Sequence, residues 1–63
     1  MRKDYEAILE QVAHGSRILD IGCSDGQLME LLEKKKGAEL RGLEISQAGV
    51  NACVAKGLAV IQG

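Results

Sequence analysis

Two acids and two glycines carry most of the chemistry open to this sequence. The stretch Arg17–Gly26, RILDIGCSDG, opens with an apolar run of Ile18, Leu19 and Ile21 that one acid, Asp20, interrupts. A turn from Gly22 to Gly26 follows, and an amphipathic segment begins at Gln27. A buried strand that breaks at a glycine and re-enters as a helix is the start of a nucleotide-type βαβ unit. Glycines there let a small ligand approach backbone N–H groups at the helix N-terminus, where a Cβ would obstruct it. Glu44 ends a second apolar segment, 22 residues after Gly22. In a parallel sheet that place lies beside the first loop, where a carboxylate can accept both hydroxyls of a ribose. Asp20 lies within a strand, where an acid without a partner is costly. It is expected to bond the backbone of its own loop or to face a cation at the strand end.

The glycine spacing narrows the ligand. A dinucleotide pyrophosphate calls for Gly-x-Gly-x-x-Gly, but Ser24 and Gln27 stand where the second and third glycines would be. A nicotinamide-dependent oxidoreductase is therefore disfavoured. A loop flanked by acids suits a ligand with a ribose, a cationic amino group and a single carboxylate, features that S-adenosylmethionine combines. Cys23 and Cys53 are the only cysteines and His14 the only histidine. Without a C-x-x-C pair, no metal site is expected, and the two thiols are read as free in a cytoplasmic protein. Cys23 has no histidine near it in sequence and reads as an inert loop thiol.

The elements that must hold these residues alternate. A first helix is expected over Asp4–His14, with Asp4 as its cap, Ile8, Leu9 and Val12 at helical spacing, and Gly15 ending it. Arg17–Gly22 is a strand. Gly26–Lys36 is a helix with Leu28, Met29, Leu31 and Leu32 on one face, and Lys34–Lys36 favouring the dipole before Gly37 closes it. Leu40–Ile45 is a second strand. Ser46 caps a third helix to about Lys56, with Val50, Cys53 and Val54 as its buried stripe, and Gly57 ends it. Gly49, in that helix's first turn, argues against helix there. Leu58–Ile61 is a third strand.

The order α-β-α-β-α-β implies a three-stranded parallel sheet with right-handed crossovers, a Rossmann-like half-domain of the α/β class. Both crossover helices fall on one face. The other face and the free edge of the first strand have nothing to cover them, so the fold is expected to be completed by self-association, as a homodimer, or by segment exchange. Sixty-three residues make one small domain, which buries only about 60% of its unfolded surface. With no Pro, Trp or Phe and one Tyr, its core must be Leu, Ile, Val and Ala. A net charge of −1 gives no basis for binding nucleic acid or an anionic membrane, and no apolar stretch is long enough to span one.

ILDIGCSDGQL resembles the first motif of class I S-adenosylmethionine-dependent methyltransferases, V-L-D-x-G-C-G-x-G. MRKDYEAIL, LRGLEISQAGVNACVAKGLAVIQG and their spacing are similar to the N-terminal part of the MetW family, methyltransferase-like proteins linked to methionine biosynthesis; the similarity covers essentially all 63 residues. The resemblance implies that Asp20, Gly22, Cys23 and Gly26 line the methionine moiety of S-adenosylmethionine or S-adenosylhomocysteine, with Ser24 in the same cofactor-binding loop. Glu44 would hold the ribose and Ile45 touch the adenine. Ser24 stands where the family commonly has glycine. The family's later strands, its adenine-contacting acid and its acceptor-binding loops have no counterpart in this sequence. The expectation is thus an N-terminal cofactor-binding half, truncated or engineered, with weak or no catalysis alone and no nameable catalytic residue. The alternatives are a self-associating structural fragment that binds no ligand and an active homodimeric methyltransferase.

Overall fold

A computed structural model describes residues 3–63. Three helices and three strands alternate: α1 (Lys3–Gln11), β1 (Arg17–Ile21), α2 (Gln27–Lys36), β2 (Glu39–Glu44), α3 (Gln47–Ala55) and β3 (Val60–Gln62). The strands form one parallel sheet in the order β1-β2-β3. The α/β class, the element order and the parallel sheet agree with expectation.

The register decides which residues meet the helices. Ile18 pairs with Leu40, Asp20 with Gly42, and Gly42 with Val60. Side chains alternate across a strand, so Ile18, Asp20, Leu40, Gly42, Glu44 and Val60 share one face. That face holds the core: Leu9, Cys23, Met29, Leu32, Ala38, Leu40, Cys53 and Leu58 form one buried cluster, with Val12, Ile18, Leu28 and Val60 packed against it. α1 packs on α2, α2 on β2, and α3 on β2 and β3. Gly42 lies at the centre of this packing. A Cβ there would stand 2.9 Å from Cys23 Sγ, Met29 Sδ and Val60 Cγ2, so helix and loop close onto the sheet only over a glycine.

The opposite face is bare. Leu19, Ile21 and Ile61 are 61%, 73% and 68% exposed. At the N-terminal ends of the strands Arg17 and Arg41 flank Glu39, at 3.2 and 3.8 Å. These exposed ion pairs contribute little. A shallow concavity lined by Arg17, Ile18, Leu19, Glu39 and Arg41 lies there, at the far end of the strands from the glycine turn.

Several boundaries differ from the sequence reading. α1 already includes Lys3, so Asp4 sits in its first turn and not at its cap. It stops at Gln11, because the chain must turn to enter the sheet: Ser16 donates from both N and Oγ to Ala13 O, and the Gly15 N–H is taken by Lys36 O. Gly15 has a positive φ of 76°, but within this turn, not as the residue closing the helix. β2 starts one residue earlier than expected and ends at Glu44, leaving Ile45 80% exposed. β3 begins only at Val60, because the Leu58 N–H closes α3 on Cys53 O and turns the leucine into the core. On α3, Cys53 is fully buried and Val50 half-buried, whereas Val54 is 59% exposed and leaves the expected stripe. Gly37 ends α2 as expected, with φ 58° and N–H bonds from Gly37 and Ala38 to Glu33 O and Leu32 O.

Candidate functional site

The glycine turn lies at the C-terminal ends of β1 and β2, the end where open parallel sheets present their crevice. The ladder runs into it: the Gly22 N–H donates to Leu43 O at 2.7 Å. Gly22 has φ 74° and nothing within 4 Å of where a Cβ would point. Its backbone is therefore open on the side where a ligand would approach. Gly26 is different. It has φ 82° at the cap of α2, and a Cβ on it would come 2.5 Å from Leu58 Cδ1 and 2.9 Å from Cys53 Sγ. Sequence reasoning assigned both glycines to ligand approach. The structure assigns Gly26 to close packing of the turn on α3 and the residue that follows it. Gly26 offers no side-chain cap to α2, so Asp25 supplies one, its Oδ1 accepting from the Gln27 N–H at 3.1 Å.

Ser24 has a φ of 56°, a left-handed conformation that costs a side-chain-bearing residue about 1 kcal/mol or more. That is the physical reason a glycine suits this position. Ser24 is held through both of its backbone polar groups. Its N–H donates to Glu44 Oε1 at 2.7 Å, and its carbonyl accepts from the Cys53 thiol at 3.4 Å.

Glu44 is where the two halves of the site meet. Its second oxygen, Oε2, accepts from the Ser46 N–H at 2.8 Å. The side chain thus bridges the turn after β1 and the start of α3, and the residue is only 7% exposed. It is not a solvated strand-end acid. The Ser46 and Ser24 amides, in that order, hold its carboxyl below the usual carboxylate range, against the opposing effect of burial. Each oxygen spends one acceptor site on an amide, and a carboxylate has about four.

Asp20 does not bond its own loop. Among the described residues it has no hydrogen-bond or ion-pair partner, and partial burial alone raises its pKa. Its half-buried carboxylate lies on the helix-covered face beside Gly42. Cys23 is buried, with its Sγ 3.9 Å from Cys53 Sγ, and both thiols are free. Burial first, then Cys53 and the charges of Asp20 and Glu44, push the Cys23 thiol up to about 11, which suits an inert packing thiol and not a nucleophile. Among the described residues no group of three or more His, Cys, Asp or Glu side chains is arranged to hold a metal.

The fold therefore brings together Asp20, Gly22, Cys23, Ser24, Gly26 and Glu44. Ile45 follows directly, but its side chain is turned to solvent. Sequence reasoning missed Ser46 as a second donor to Glu44 and Gly49 as a contact residue. A Cβ at Gly49 would stand 2.7 Å from Ser24 O and 2.8 Å from Glu44 Cγ. The signal was present: a glycine in the first turn of a helix is a poor helix former and asks for a packing reason.

Comparison with known proteins bears on the fold and the family. The chain is 33% identical over 66 residues to the bifunctional methionine biosynthesis protein MetXA/MetW of Rhodopirellula baltica, a match that spans 92% of this chain but 11% of that protein. A TehB-like S-adenosylmethionine-dependent methyltransferase from Corynebacterium glutamicum superposes with a TM-score of 0.80 at 21% identity, over 95% of this chain and 33% of the other. A methyltransferase from Thiobacillus denitrificans, solved with S-adenosyl-L-homocysteine, gives 0.80 at 19% identity, over 100% of this chain and 29% of the other. At these identities the structural likeness is one of fold: the α-β-α-β-α-β unit is Rossmann-like. The family described as methionine biosynthesis protein MetW matches residues 2–63, and the chain belongs to that family.

Proposed function

We propose that this chain is the S-adenosylmethionine-binding half of a MetW-like methyltransferase domain, with weak or no catalysis by itself. The observation that carries the reading is the Glu44 carboxylate, fixed by the Ser24 and Ser46 amides at the C-terminal ends of two adjacent parallel strands. The two amides orient its plane and leave acceptor sites for two ribose hydroxyls. Gly22 offers open backbone beside it, and Asp20 offers a half-buried carboxylate without a partner among the described residues, suited to the cationic amino group of the methionine moiety. Cys23, Ser24 and Gly26 shape the turn, and Ile45 supplies an exposed apolar surface for the adenine. Bound S-adenosylmethionine supplies an electrophilic methyl group; these residues bind and orient it, and none of them is placed to activate an acceptor.

Calorimetric titration with S-adenosylmethionine and S-adenosylhomocysteine at two protein concentrations tests this. Binding is expected in the micromolar to low millimolar range, weakened by Glu44→Ala. No heat and no thermal shift at millimolar ligand would overturn it.

A second reading, self-association as a homodimer, is favoured by the bare sheet face bearing Leu19, Ile21 and Ile61 and by the open edge of β1. The two readings are compatible, since that face is opposite the helix-covered face on which Glu44 lies.

A further inference from the structure

Nothing so far gives α3 a role beyond packing, yet it touches the turn at several points. Gly49 brings the α3 backbone against Ser24 O and the Glu44 side chain, at distances no Cβ tolerates. Cys53, one turn further, is fully buried and gives its thiol proton to Ser24 O. Ser46 begins the helix by donating to Glu44, and its Oγ caps the Gly49 N–H at 3.2 Å. Lys56 Nζ donates to Asp25 O at 2.9 Å from the exposed end. Ser24 meanwhile holds a conformation a serine does not adopt without support. The grip is specific: α3 supports the Ser24 carbonyl, while the Ser24 N–H, in the preceding peptide unit, donates to Glu44.

We infer that Gly49 and Cys53 are positioning residues, which hold Ser24 in place and through it orient the Glu44 carboxylate toward the ribose hydroxyls of an adenosyl ligand. This rests on the adenosyl-binding reading above. A purely structural role would weaken every ligand alike. A positioning role acts on the hydroxyls that Glu44 reads, so discrimination between ribose and deoxyribose reports it.

The test titrates the full chain with S-adenosylhomocysteine and with its 2′-deoxy analogue. Gly49→Ala is expected to cut affinity for the first about ten-fold and for the second by less than about two-fold. Cys53→Ala is expected to cost about three-fold on the first ligand only, and Cys53→Ser, which keeps a donor, to restore it. Equal losses on both ligands, or unchanged affinity for S-adenosylhomocysteine in folded variants, would overturn the inference. If Gly49→Ala does not fold, the Cys53 pair decides. A wild-type chain that binds neither ligand sinks the adenosyl reading instead. Hydrogen exchange of the Ser24 amide in the free protein then judges the positioning separately. It is expected to quicken about ten-fold in Cys53→Ala relative to the Leu40 amide, and an unchanged ratio refutes it.

Discussion

Glu44 shows what one residue does when a sheet end and a turn share it. Its carboxylate is worth most to the fold when ionised, because both oxygens accept backbone amides. Those bonds depress its folded pKa below the ordinary value of 4.5. The stability it contributes is therefore complete above that value and is lost as pH falls below it, through the depressed folded pKa. Asp20 has the opposite sign. Burial raises its pKa above 3.8, so its ionised form is disfavoured in the fold and its protonation in acid offsets part of the loss. Thermal melts of wild type and Glu44→Gln across pH should differ by a constant amount above about pH 4.5 and converge in more acid solution. A gap that persists unchanged into acid would show that the amide bonds do not depend on the charge.

At the scale of elements, the glycine turn is fastened on one side and open on the other. Gly26 leans on Leu58 and Cys53, whereas Gly22 faces open space. Gly26→Ala should cost about 2–4 kcal/mol, the sum of overpacking and a left-handed side chain. Gly22→Ala should cost about 1 kcal/mol, from the backbone alone. Urea unfolding of the two variants measures the difference, and equal losses would mean that the turn does not close on α3. The same contrast bears on ligand binding. Gly22→Ala places a methyl group on the open side of the turn and should weaken an adenosyl ligand by more than its small effect on stability would suggest.

For the whole molecule, the decisive fact is that all three helices serve one core and leave one sheet face bare. A 63-residue chain has little stability in reserve. Covering Leu19, Ile21 and Ile61 with a second copy would return apolar burial at about 25 cal/mol per Å². Folding coupled to association makes the melting temperature rise with protein concentration. Ile21→Lys, at the most exposed of these three side chains and on the open-edged strand, should abolish that rise and shift sedimentation toward the monomer. A wild-type chain that sediments as a stable monomer, with a melting temperature independent of concentration, would rule the assembly out. Among the described residues no helix is long and apolar enough to cross a membrane.

By itself the sequence determined the alternation of helices and strands, the parallel sheet and the pairing of a glycine turn with a downstream acid. All three follow from local periodicity, capping residues and chain spacing, which short stretches encode without help from their neighbours. The resemblance of ILDIGCSDGQL and LRGLEISQAGV to one family rests on the same local information. Only the tertiary structure decided which glycine faces open space and which faces a leucine, because Gly22 and Gly26 look alike until Leu58 arrives from 32 residues away. It likewise decided that Glu44 is buried, that Cys53 lies beneath the turn, and that Gly49 is the point of contact between them. Strand ends moved for the same reason: Leu58 closes α3 and turns into the core, so β3 begins only at Val60 and not with the local apolar run. Contacts between residues 20 to 30 positions apart arise from how the sheet and helices stack, and no local pattern records them.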